Sequence, residues 1–117
     1  MIFNTRDYTQ TPVVLTENTW FRKILDPVFG HPEVKSFRRQ LKSVVQNPNY
    51  VYQSVSDQRS KLFFKTITTG EFKNYYLCIV VKYIKEQTEP IGYTSTIMIN
   101  RDLPKKGTKL WESKTSI

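Results

Sequence analysis

The run Tyr75–Ile84 limits what this chain can become more than any other stretch. It reads Tyr-Tyr-Leu-Cys-Ile-Val-Val-Lys-Tyr-Ile, with Lys82 its one charge and no glycine or proline. Aromatic and β-branched side chains in an unbroken row suit a strand. A strand with one wet face would alternate, and this one does not, so it is expected to be the central strand, covered on much of both faces.

The flanking stretches are also β in character. Tyr50–Val55 is aromatic and β-branched, and Ser56–Ser60 is a polar turn. Lys61–Ile67 alternates, with Lys61, Phe63 and Lys65 on one face and Leu62, Phe64 and Thr66 on the other. Thr68–Asn74 is a loop holding Gly70, Lys85–Pro90 is a hairpin loop, and Ile91–Ile99 is the last clear strand. Arg101–Lys109, with Pro104, Lys105, Lys106 and Gly107, reads as a mobile basic loop. Leu110-Trp111 then docks as a short strand ahead of a frayed tail.

The first half reads as helical. Thr16 caps a helix over Glu17–Asp26, with Trp20, Phe21, Ile24 and Leu25 as its buried face. Asp26-Pro27 ends it. A second helix opens at Pro32, where a missing amide hydrogen costs nothing. It buries Val34, Phe37, Leu41, Val44 and Val45, keeps Lys35, Arg38, Arg39 and Lys42 largely off that stripe, and stops at Asn47-Pro48. Residues 1–10 are polar and without period, and read as a loose arm; Pro12–Leu15 is a short strand or extended lead-in. The expected architecture is α+β: two N-terminal helices packed on a four-stranded antiparallel sheet. The expected divisions are a flexible arm over 1–12, one domain over 13–111 and a tail over 112–117.

A chain of 117 residues supports one modest core. Eighteen basic residues against ten acidic ones give a net charge of +8, which points to an anionic partner, nucleic acid first. No apolar run reaches the length of a membrane span, so no membrane partner is expected. The single cysteine, Cys78, lies in the apolar run and leaves neither a disulfide nor a zinc cluster. A reducing cytoplasm is the default location, and no cofactor is expected.

The residues that carry chemistry are few. Acidic residues are scattered, and there is no glycine-rich phosphate loop or nucleophile elbow. One histidine, many lysines and arginines, and strand hydroxyls remain. That set suits metal-free RNA cleavage, in which a base activates the ribose 2′-hydroxyl, cations stabilise the phosphoryl charge and an acid protonates the leaving oxygen. His31 is the one side chain of a type whose unperturbed pKa lies near neutrality; its plain alternative is a histidine that bonds backbone where the helix begins. Lys61 and Lys65 share a strand face roughly 13 Å apart, with Phe63 between them. Phe63 either stacks a base or faces the helices with the lysines at the rim. Thr94, Thr96 and Asn100, followed by Arg101, offer hydroxyls, an amide and a charge to a phosphate or base.

Taken in order, these features resemble the phage and prophage-associated branch of the barnase–EndoU–colicin–RelE-like nucleases. The matching pieces are Leu15–Trp20, His31-Pro32-Glu33-Val34 followed by Asn47-Pro48, and Val51-Tyr52. They continue with Arg59–Lys65, Leu77–Lys82, Gly92–Arg101, and Gly107 with Leu110-Trp111. The resemblance implies a small endoribonuclease of toxin type with an antitoxin protein as partner. It makes His31 the acid or base and places Arg59, Lys61 and Lys65 on phosphate. Thr96 and Asn100 fall at the polar positions of the last long strand. The catalytic set is then His31, Lys61, Lys65 and Thr96, with Arg59, Asn100 and Arg101 binding substrate and no metal. A non-catalytic RNA-binding module, or a structural or interaction protein of a toxin–antitoxin or phage system, is the alternative.

Overall fold

The computed structural model describes residues 1–86 and 88–114. Its strands are β1 (Phe3–Arg6), β2 (Pro12–Leu15), β3 (Tyr50–Gln53), β4 (Ser60–Thr66), β5 (Tyr76–Glu86), β6 (Glu89–Asn100) and β7 (Lys109–Glu112). They form one seven-stranded sheet in the order β1-β2-β6-β5-β4-β3-β7. Neighbours run antiparallel except β2 and β6, which pair parallel through Val13 opposite Gly92 and Val14 opposite Tyr93. The expected four-stranded antiparallel sheet under two helices is therefore corrected to a larger mixed sheet with short helical segments. The apolar run does become a long central strand, β5, flanked by β4 and β6. Of the tail expected over 112–117, residues 115–117 lie outside the described residues, as does Gln87 of the expected hairpin loop.

Register assigns the faces. Phe63 stands opposite Ile79, and Ile79 opposite Ile97, on one face. Their buried side chains join Phe3, Val13, Leu15, Val51, Leu77 and Val81 from the strands with Trp20, Ile24, Val34, Leu41, Val44 and Val45 from the helices in a single core. Each such side chain contributes about 1.5–3 kcal/mol when fully withdrawn from water. The other face carries Tyr50, Tyr52, Leu62, Phe64, Tyr76, Cys78, Val80, Thr96, Met98 and Asn100, by the same pairings. Phe64 and Cys78 are buried there but stand outside the main core. Three tyrosine rings wrap this side: Tyr52 and Tyr76 meet Phe64 edge-on at 5.8 and 6.2 Å, and Tyr50 meets Tyr76 at 6.2 Å.

The helices form where expected but wind irregularly. Thr16 caps α1 (Glu17–Thr19) by accepting from the Thr19 amide at 3.2 Å. The helix widens at once into a π-helical stretch over Trp20–Ile24. That winding buries Trp20 and Ile24 but leaves Phe21 55% exposed, contrary to its expected place on the buried face. The second helix begins as a 3₁₀ run, Pro32–Gln40, and continues as α2 (Leu41–Gln46). It buries Val34, Leu41, Val44 and Val45 as the spacing predicts, with Phe37 packed partly against them.

The expected loose arm is an ordered hairpin. β1 pairs with β2 from Phe3 opposite Leu15 to Arg6 opposite Pro12. Its turn is held by the buried carboxylate of Asp7, which accepts from the Thr9 amide and hydroxyl (both 2.7 Å) and the Thr11 amide (3.1 Å) on Oδ1. The other oxygen accepts from the Tyr83 hydroxyl at 2.5 Å. Polar residues satisfying one another and the backbone leave no hydrophobic period, so the segment carries no strand signal. Through these bonds the tip folds over the helix side of the sheet, where the Tyr8 ring rests on Phe63 and Trp111 at centroid distances of 5.9 and 5.2 Å.

Candidate nucleic-acid interface

The hairpin tip divides this end of the helix-side face into clefts, with Tyr8 between them. On one side Arg59, Lys61, Gln58, Thr11 and Tyr83 line a cleft of about 310 Å³. On the other, Tyr8, Trp111, Lys65, Gln10, Asn47 and Lys114 are among the residues lining a cleft of about 620 Å³. It shares Gln10, Gln46 and Asn47 with a third of about 560 Å³ that reaches Arg6. Together these make a groove with aromatic faces, amides and cations.

Each cation is set by its neighbours. The Lys61 ammonium stands 5.0 Å from the Tyr83 ring centroid and 5.9 Å from that of Tyr8, and has no carboxylate partner among the described residues. Ring quadrupoles hold such a charge without neutralising it. Burial, then the hydrogen bond to Asp7, raises the Tyr83 phenol far above its ordinary range, so it stays neutral beside Lys61. Burial also raises Tyr8. Lys65 donates from Nζ to the Asn47 carbonyl at 2.6 Å, at the C-terminal end of α2, where a cation complements the helix dipole. At the rim Asp57 lies 4.0 Å from Arg59 and 3.5 Å from Lys82. Hydrogen bonds from the Arg59 amide and the Ser60 hydroxyl, then the Lys82 charge, hold its carboxyl below the usual range.

Three of the seven expected site residues gather here: Arg59 and Lys61 in one cleft, Lys65 in the next. The others do not. His31 precedes the 3₁₀ run, with Nδ1 3.5 Å from the Glu33 carboxylate. Asn47, which Lys65 touches, lies beyond the opposite end of that helical run, roughly 25 Å away at ordinary helical rises. Thr96 and Asn100 stand opposite Val80 and Tyr76, on the tyrosine-rich face. Arg101 is drawn to Tyr75, donating to its hydroxyl at 3.1 Å with the guanidinium 5.7 Å from the ring centroid. The imidazole, the lysines and Thr96 therefore do not converge on one phosphate. Phe63 takes the second of its two readings, fully buried toward the helices with the lysines at the rim.

Tyr8, Gln10 and Asn47 were not singled out from sequence. Two sit in a segment without periodicity, and the third was read as a helix stop. Trp111 carried a signal only as part of a short closing strand and of a closing motif.

Among the described residues no group of three or more His, Cys, Asp and Glu side chains is placed to hold a metal ion, and no helix is long and apolar enough to cross a membrane. Fold and groove define a small mixed-sheet protein with a basic, aromatic cleft system. No family model, curated protein or solved structure matches the chain.

Proposed function

We propose that this protein binds single-stranded RNA along the groove around Tyr8 and does not cleave it. The observation that carries the reading is the setting of Tyr8 between the Lys61 ammonium and the Trp111 indole, with Arg59 and Lys65 in the flanking clefts. Aromatic rings stack bases and cations track phosphates, the two components of single-strand binding. The net charge of +8 adds a long-range attraction. Amide and hydroxyl groups along the clefts suit the ribose 2′-hydroxyl, which both donates and accepts.

Binding is favoured over cleavage because acid–base catalysis needs its groups within hydrogen-bond reach of one reacting centre. Here the sole imidazole lies at the far end of the helical layer. The hydroxyl of Thr96 is on the other face of the sheet. An acidic protein segment would compete for the same cations, which is how a protein partner would regulate binding.

The test is anisotropy titration of a fluorescent single-stranded RNA across a salt series, with the RNA recovered and run on a gel. Lys61→Ala and Lys65→Ala are each expected to weaken binding and to reduce the log–log salt slope by about 0.7, the loss of one phosphate contact on a single strand. Intact RNA is expected throughout. No binding at 50 mM salt on the order of micromolar protein, or cleavage that disappears in these variants, overturns the reading.

A further inference from the structure

We infer that the Tyr8–Trp111 cleft is a nucleobase subsite selecting adenine. The inference deepens the RNA reading of the groove and rests on it for the phosphate path, while the base contacts stand on their own geometry.

The cleft, about 620 Å³, has the size of a nucleotide site. Its floor is Trp111, 41% exposed, with the indole oriented by a 3.3 Å hydrogen bond from Nε1 to the Pro48 carbonyl. Tyr8 backs it at 5.2 Å and a tilt of 41°. Those rings are already in contact, so a base cannot slip between them and lies on the open face of the indole. A purine covers more of that face than a pyrimidine does.

The walls then choose the purine. Gln10 and Asn47, both exposed, line the cleft with side-chain amides that make no hydrogen bond to the protein among the described residues and so stand open to a ligand. Their neighbours are committed: Gln46 donates to the Thr5 hydroxyl at 2.6 Å and Asn49 accepts from the Thr66 amide at 2.8 Å. A free carboxamide presents a donor and an acceptor side by side, the complement of adenine N6 and N7. The exocyclic donor of cytosine is met best by a carboxylate, and guanine O6 and N7 by paired donors. Among the described residues no carboxylate lines this cleft, and its two lysines, Lys65 and Lys114, are point charges rather than planar paired donors. Gln10 also holds φ at 73°, a conformation glycine adopts more easily, so the turn has no need of a glutamine side chain at this position.

The protein contains two tryptophans, and Trp20 is only 1% exposed, so quenching by a nucleotide reports on Trp111. AMP, GMP, CMP and UMP are titrated against intrinsic fluorescence. The expected result is quenching by AMP with an affinity at least about tenfold above that for GMP or CMP, within the range of a bidentate base contact. The quenching disappears in Trp111→Phe. Gln10→Gly, which removes the amide and relieves the φ, is expected to melt no lower than the parent and to lose most of the AMP preference. Equal quenching by all four nucleotides, no quenching, or an unchanged preference in Gln10→Gly overturns the subsite. The two readings separate with homopolymers. If poly(A) and poly(U) bind equally and Lys61→Ala weakens both, the subsite falls and RNA binding stands. If AMP is selected while no RNA strand binds, the subsite stands and the RNA reading falls.

Discussion

The Tyr83 hydroxyl donates a 2.5 Å hydrogen bond to Asp7, seventy-six residues earlier in the chain. This bond ties the hairpin tip to the central strand, beside the cleft that Tyr83 lines with Arg59 and Lys61. Gly92, opposite Tyr83, makes room for the ring: a Cβ there would lie 2.9 Å from its Cε1 and 2.6 Å from Val81 Cγ1. Tyr83→Phe leaves one oxygen of a buried carboxylate unpartnered. The expected loss is about 1–3 kcal/mol, a fall in melting temperature of roughly 4–12 °C. RNA affinity should fall with it, though no cation is touched. An unchanged melt by circular dichroism would show that the tip is held by its ring contacts alone.

Alkaline pH should destabilise the fold. Burial raises the Tyr83 phenol and the Cys78 thiol well above their ordinary values of 10.0 and 9.0. Above those values the unfolded chain has released both protons while the folded chain still holds them. The unfolded state then binds fewer protons, and stability falls with rising pH. Below about pH 8 neither group contributes a slope. Urea unfolding at steps between pH 8 and pH 11 measures this, and Tyr83→Phe should flatten the decline. A parent curve level across that range contradicts it.

Gly30 is fixed by space, not by φ. A Cβ there would stand 2.3 Å from the Lys23 carbonyl oxygen and 2.4 Å from that of Ile24, both backbone atoms. The same turn is pinned by Asp26, whose carboxylate accepts from the Val28 and Phe29 amides at 2.8 and 2.9 Å and is held below its usual range by them. Gly30→Ala must therefore shift the junction between the two helices, at a cost of about 2–3 kcal/mol. Thermal melting reads it directly; a loss under about 0.5 kcal/mol, the ordinary surface value, would mean the junction adapts freely.

What could be read beforehand followed from how far each signal reaches along the chain. The alternation Lys61-Phe63-Lys65, the apolar run Tyr75–Ile84 and the stripe Val34–Val45 are local patterns, and they located β4, β5 and the second helix. Pro12–Leu15 reads as a short strand and is β2, but β1 and its pairing were missed because the hairpin is held by residues remote in sequence. Asp7 finds Tyr83, Tyr8 finds Trp111, and Val13 pairs with Gly92. Gln10 stands at a positive φ where a glycine would have announced a turn. Site residues fared likewise. Arg59, Lys61 and Lys65 lie close together in sequence and line adjoining clefts, whereas Thr96 was joined to the lysines only by supposing a convergence that strand register rules out.

His31 offers the sharpest test of binding against cleavage. Its ring is partly exposed, the neighbouring Glu33 carboxylate is equally so, and its side chain caps no amide of the run that follows. An exposed pair of this kind contributes little, about 0–1 kcal/mol. At roughly 25 Å from Lys65 along ordinary helical rises, it lies beyond a Debye length at physiological salt. His31→Ala should therefore leave the melting temperature within about 4 °C and RNA affinity within about twofold, while Lys61→Ala in the same assay loses affinity. Should His31→Ala instead abolish an RNA-degrading activity of the parent while binding persists, the imidazole reaches substrate after all and the protein is an enzyme.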